Sequence, residues 1–173
     1  METRKFLGVF FLLLFVAWIC ARIALSITFD RDVANYLKQA AMADTIEVAT
    51  ESLSLAIENF EIRSAVRDGY TSLIVRTPNE DVRAWYFKLK TCLQELEAMR
   101  KGASQMEKKN MLLRVRSDLV VYYQVIGPSP IVPSGIAVFP HNKLFAHWGW
   151  WSLVLTCVFG LWWRVDVDRL SAK

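Results

Sequence analysis

FLGVFFLLLFVAWICARIAL (Phe6–Leu25) and FAHWGWWSLVLTCVFGLWW (Phe145–Trp163) stand at opposite ends of the chain, and their reading decides the fold. A helix rises about 1.5 Å per residue, so each run is long enough to cross a hydrocarbon layer that takes roughly 20 apolar residues. The stretch between them is charged and patterned like soluble helices. The sequence therefore predicts an all-α fold, with two transmembrane helices flanking a small antiparallel helical bundle and a Pro-rich extended return segment. The expected segments are an N-terminal transmembrane helix over 1–27, an extracytoplasmic bundle over 28–123, a Pro-rich linker over 124–143, a C-terminal transmembrane helix over 144–164 and a cytoplasmic tail over 165–173.

Charge supports this division. Of 173 residues, 54% are hydrophobic and the formal net charge is +4. Thr28–Phe145 hold 15 Lys/Arg against 14 Asp/Glu, a net of only +1. Nucleic-acid binding wants clustered basic charge, so no nucleic-acid partner is expected. The remaining cations stand beside the apolar runs, at Arg4, Lys5, Arg164, Arg169 and Lys173. By the positive-inside rule both termini are expected in the cytoplasm and the middle outside a bacterial inner membrane, facing the periplasm in a Gram-negative cell. Arg22, near the outer end of the first run, must snorkel outward or find a partner.

Arg4, Lys5 and the small-residue step Ala24-Leu25-Ser26 also fit a cleaved signal peptide. The length of the apolar run, with Trp18 and Arg22 in it, favours a retained anchor. Three cysteines make no disulfide framework, because Cys20 and Cys157 lie in the runs and Cys92 stands alone between them. Cys92 falls on an apolar helical stripe and is expected to be buried, with a Cys92-linked dimer as the alternative.

Between the runs, Phe29–Ala43 is predicted to continue the first helix, with Val33, Leu37 and Ala40 or Ala41 on one side. Asp44-Thr-Ile-Glu47 is a capping-box pattern, opening a stripe of Ile46, Ala49, Leu53, Ile57 and Phe60. Asp68-Gly69-Tyr70 reads as a turn and Thr71–Arg76 as briefly extended. Thr77-Pro78-Asn79-Glu80 is a second start signal, with threonine capping and proline in the first helical position. Val82, Trp85, Leu89, Cys92 or Leu93, Leu96 and Met99 follow it. Ser104 and Glu107 form a third box, before Met111, Leu112, Val115, Leu119 and Tyr122. Three striped helices would leave the chain at the far end of the bundle. Gln124–Asn142, with four prolines, is therefore expected to run back along it as an extended strap.

No set of residues assembles a catalytic centre, a cofactor site or a metal site. Glu80-Asp81 and Glu95-x-Glu97 read as helix-dipole and solvated carboxylates. Trp148, Trp150 and Trp151 near one end of the second run, and Trp162 and Trp163 near the other, are distributed like an interfacial aromatic belt. His147 is expected in that belt, since no second histidine in the first run completes a haem or pigment site. Small residues recur at Ala17, Ala21 and Ala24, and at Gly149, Ser152, Thr156 and Gly160. Such stripes let helices approach closely in lipid, so these faces are expected to pack together within one chain or between copies; the alternative is a lipid-facing set of no consequence.

Gly69-Tyr-Thr-Ser72, Arg76-Thr-Pro-Asn-Glu-Asp-Val82 and Trp85-Tyr86, with Phe29-Asp-Arg-Asp32 and Phe145–Trp151, resemble segments of small two-span bacterial membrane proteins. That resemblance implies a bacterial membrane setting and carries no activity or site residues with it. The expected function is a non-enzymatic scaffold or accessory protein that holds a helical bundle out to a protein partner. Tyr70 and Arg76 are candidate contacts. An extracytoplasmic ligand sensor, working with a separate signalling subunit, is the alternative.

Overall fold

The helix that begins in the first apolar run does not stop where the run does. In the computed structural model, which describes residues 2–64, 69–72, 76–100, 102–125 and 127–171, α1 (Glu2–Phe29) passes through a π turn (Asp30–Ala34) into α2 (Asn35–Ala41). Then come α3 (Ile46–Arg63), α4 (Val82–Arg100), α5 (Gln105–Leu119), a β-hairpin (β1, Val120–Tyr123; β2, Gly127–Pro130), a 3₁₀ turn (Ile136–Val138) and α6 (Asn142–Ser171). The fold is mostly helical, as expected, and a small two-stranded hairpin is added to it. Two helical stretches, Phe6–Ala41 and Asn142–Trp162, are long and apolar enough to cross a membrane. The chain divides into two compact units, residues 26–140 and residues 1–25 with 141–173.

In the 26–140 unit the expected stripes are the core. Val33, Leu37, Ala49, Leu53, Phe60, Val82, Leu89, Leu96, Val115 and Leu119 are almost fully buried. Phe60 meets Trp85 edge-on at 5.1 Å, an arrangement that adds about 0.5–1.5 kcal/mol to the burial itself. Cys92 is buried in the same core, and its thiol pKa is raised chiefly by desolvation.

Helix starts follow the sequence only in part. Ser104 and Glu107 form both halves of their capping box, with Glu107 N–H donating to Ser104 Oγ at 3.3 Å and Ser104 N–H to Glu107 Oε2 at 2.7 Å. At α3 the cap is Thr45 rather than Asp44, its Oγ1 accepting from Val48 N–H. At α4 the cap moves to Asp81, whose Oδ1 accepts from the N–H groups of Arg83 (2.9 Å) and Ala84 (3.2 Å). Thr77 is drawn away because its hydroxyl donates to Glu80 Oε2, and Pro78–Glu80 wind into a separate 3₁₀ turn.

The path of the chain also differs from the expected parity. Asn59 Nδ2 donates to the Asp32 carbonyl, and Arg63 Nη1 donates to Thr28 Oγ1, so α3 runs back toward residues 28–32. Lys88–Asp118 and Arg114–Glu95 ion pairs align α5 against α4 in the opposite sense. Counting α2, four helical segments of this unit run antiparallel in turn.

The strap opens as the hairpin. Val121 pairs with Ser129, Tyr123 with Gly127, and Ile131 N–H reaches the Leu119 carbonyl at 2.8 Å. Pro128 and Pro130 thus take the positions whose nitrogens face away from β1, where the missing N–H groups cost no ladder bonds. Tyr122, expected on the α5 stripe, lies in β1 and is exposed. Beyond the hairpin, Trp85 Nε1 donates to the Ile131 carbonyl (2.9 Å) and Arg63 Nη2 to the Ala137 carbonyl (3.1 Å), tying the segment to α4 and α3. Gly69 and Tyr70 lie at the expected turn, where Tyr70 bridges Asp81. Asp68 and residues 73–75 lie outside the described residues.

Candidate functional site

The two apolar helices of the other unit meet through one tryptophan and one glycine. A Cβ on Gly149 would stand 2.5 Å from the Trp18 indole, so only glycine admits the ring at this distance. Trp18 Nε1 donates to the Phe145 carbonyl at 2.7 Å, which gives the indole a partner among apolar side chains. Phe11 and Phe159 stack at 5.5 Å, and Arg22 lies over the Trp18 ring at 5.4 Å.

The small residues divide accordingly. Gly149 and Ser152 are buried, and Thr156 and Ala21 half-buried; Ala17, Ala24 and Gly160 are exposed. Ser152 and Thr156 satisfy their hydroxyls on carbonyls one turn earlier in α6. The structure thus sets Gly149 against the bulky Trp18 rather than against Ala17 or Ala24. In the sequence Trp18 counts only toward a retained anchor. Its spacing of seven from both Phe11 and Leu25 was the signal that it lies on the packing face. Trp150, Trp151 and Trp162 are exposed and Trp148 half-buried, while the Trp163 side chain lies outside the described part. His147 Nδ1 is 2.7 Å from the Lys143 carbonyl within its own helix.

In the 26–140 unit two surface features stand out. A groove of about 450 Å³ runs between the start of α4 and the hairpin and strap, with Trp85, Tyr123, Pro130 and Pro133 among its walls. The hairpin beside it exposes apolar side chains: Tyr122 is 56%, Tyr123 55% and Val125 96% exposed. Arg76 lies over the Tyr70 ring at 5.5 Å, so these two candidate contacts are brought together. A second groove, of about 620 Å³, lies between the α2–α3 turn and α5. Arg116 at its edge donates through Nε to the Ala41 carbonyl (3.0 Å), neutralising the C-terminus of α2.

Tyr86 donates a short hydrogen bond to Glu61, which also holds Lys90 at 3.0 Å. Hydrogen bonds that Lys90 donates to Tyr86 and Glu61 raise its pKa. The cluster joins α3 to α4 and faces no cavity named above. Among the described residues no group of three metal-ligating side chains converges. Comparison with known protein families, characterised proteins and solved structures finds no match to this chain.

Proposed function

We propose that this chain is a membrane-anchored, non-enzymatic scaffold or accessory protein that presents its 26–140 unit to a protein partner. The reading is carried by the exposed apolar side chains of the hairpin, Tyr122 and Tyr123 on its two faces and Val125 at its turn, beside the groove walled by Trp85. Aromatic side chains on an otherwise polar surface supply contact area at small entropic cost, and they are enriched at protein interfaces. In this reading the first helix and α6 cross a bacterial inner membrane, both termini lie in the cytoplasm, and an antiparallel bundle stands outside. The two-helix contact at Trp18 and Gly149 then holds the anchor together, and Trp148, Trp150, Trp151 and Trp162 face lipid or the headgroup layer.

The test compares mild-detergent purifications of the tagged full chain with those of a Tyr122→Ser/Tyr123→Ser/Val125→Ser variant. The same stable membrane protein should accompany the original chain and fall at least tenfold with the variant, while helical content is kept. Equal recovery by both overturns the hairpin as the partner surface. Reporter fusions at Lys173 and after Ser104 check orientation, with a cytoplasmic signal expected at Lys173 and a periplasmic one at Ser104. Release of the chain from vesicles by alkaline carbonate would overturn the anchor.

A ligand-sensing role is the second reading. The observation favouring it is the 620 Å³ groove, whose volume lies in the range that small molecules occupy. It requires that one metabolite raise the unfolding temperature of the purified chain.

A further inference from the structure

The groove between the α2–α3 turn and α5 carries opposite charges on opposite walls. Asp44 and Glu47 stand on the turn and the first turn of α3; Lys108 and Lys109 stand on α5. Nearby, the same helices match their charges within the chain: Lys88 with Asp118 at 2.9 Å, Arg114 with Glu95 at 3.3 Å, Lys90 with Glu61 at 3.0 Å. Asp44, Glu47, Lys108 and Lys109 form no ion pair among the described residues, although both signs line one groove. Leu113, on the same α5 wall one turn beyond Lys109, is 53% exposed.

We propose that this groove is a two-fold contact between two copies of the chain. A ligand of one sign would be repelled by one wall. A second copy related by a two-fold axis brings the same two walls in exchanged order, so the Asp44/Glu47 wall of each copy meets the Lys108/Lys109 wall of the other. Leu113 supplies the apolar centre that such an interface needs. The pairs stay near solvent, so association is reversible and weakened by salt, which screens exposed charges over about 8 Å at physiological ionic strength. The proposal is independent of the hairpin partner, which uses a different surface of the unit.

The test uses full chains in phosphatidylcholine vesicles, half of them ¹⁵N-labelled, treated with a zero-length carbodiimide that joins carboxylates to amines in contact. Mixed-isotope cross-links between Asp44 or Glu47 and Lys108 or Lys109 are expected, falling at least fivefold in 0.5 M NaCl. Asp44→Lys/Glu47→Lys and Lys108→Glu/Lys109→Glu variants, each with unchanged helical content, should each lose the contact with itself. Mixed with each other, the two should recover it, with cross-links at the same positions. The proposal is overturned by cross-links confined to one isotope, by mixed-isotope association without cross-links at these positions, or by charge-reversed variants that fail to associate when mixed. Capture of a different protein in the groove in place of the second copy also overturns it.

Discussion

At Gly149 the space for a Cβ is already taken by the Trp18 indole. A Gly149→Val change forces the ring aside and strains the Trp18–Phe145 hydrogen bond. Overpacking of this kind costs about 1–3 kcal/mol. Thermal unfolding of the full chain in detergent should show the loss, and Trp18→Ala should remove most of the extra cost, because the two residues share one contact. Cys92 gives a second check at this scale. Burial both hides its thiol and raises its pKa, so the thiolate is scarce at pH 8. A thiol reagent should label Cys92 at least tenfold more slowly in the folded chain than in urea. Equal rates would mean that the α4 stripe does not face the core.

Among the elements, the helix starts separate two kinds of sequence signal. Ser104 and Glu107 satisfy each other, and nothing nearby competes for them. Thr77 has the same pattern, yet its hydroxyl is taken by the Glu80 carboxylate and Asp81 does the capping. Asp81→Ala should therefore destabilise the chain by about 1 kcal/mol in urea unfolding, and Thr77→Ala by clearly less. Hydrogen bonds from the Ser104 hydroxyl and backbone hold the Glu107 carboxyl below the usual carboxylate range. A depressed folded pKa stabilises the fold above the unfolded pKa, and that contribution disappears as pH falls through the folded value. Ser104→Ala should accordingly destabilise the chain more at pH 7 than at pH 3. The hairpin is the element that helical reading missed. Val120-Val121-Tyr122-Tyr123 followed by Gly127 carries the composition of a hairpin, and the three-to-four spacing of Leu119 and Tyr122 concealed it.

For the molecule as a whole, the division into two units has a direct consequence. Residues 26–140 bury their own continuous core, from Phe29 and Val33 through Phe60 and Trp85 to Leu119 and Phe139. A fragment of those residues should stay in solution without detergent and unfold cooperatively in urea, with Cys92 protected until the transition. A fragment that aggregates, or that shows no cooperative transition, would make the apolar helices part of its folding. Arg63 and Trp85 hold the strap through the carbonyls of Ala137 and Ile131, on backbone that forms no regular ladder there.

The two long apolar helices, the buried stripes of α2 to α5 and the capping box at Ser104 are legible along the chain. Each depends on periodicity or on neighbours within four residues. Packing in three dimensions sets Trp18 on Gly149, puts Asp81 in place of Thr77, turns Pro128 and Pro130 to the open edge of a hairpin and brings opposite charges into one groove at the α2–α3 turn. Each of these choices is set by which distant or competing group arrives first at a shared atom or space, and a linear pattern carries no record of that competition.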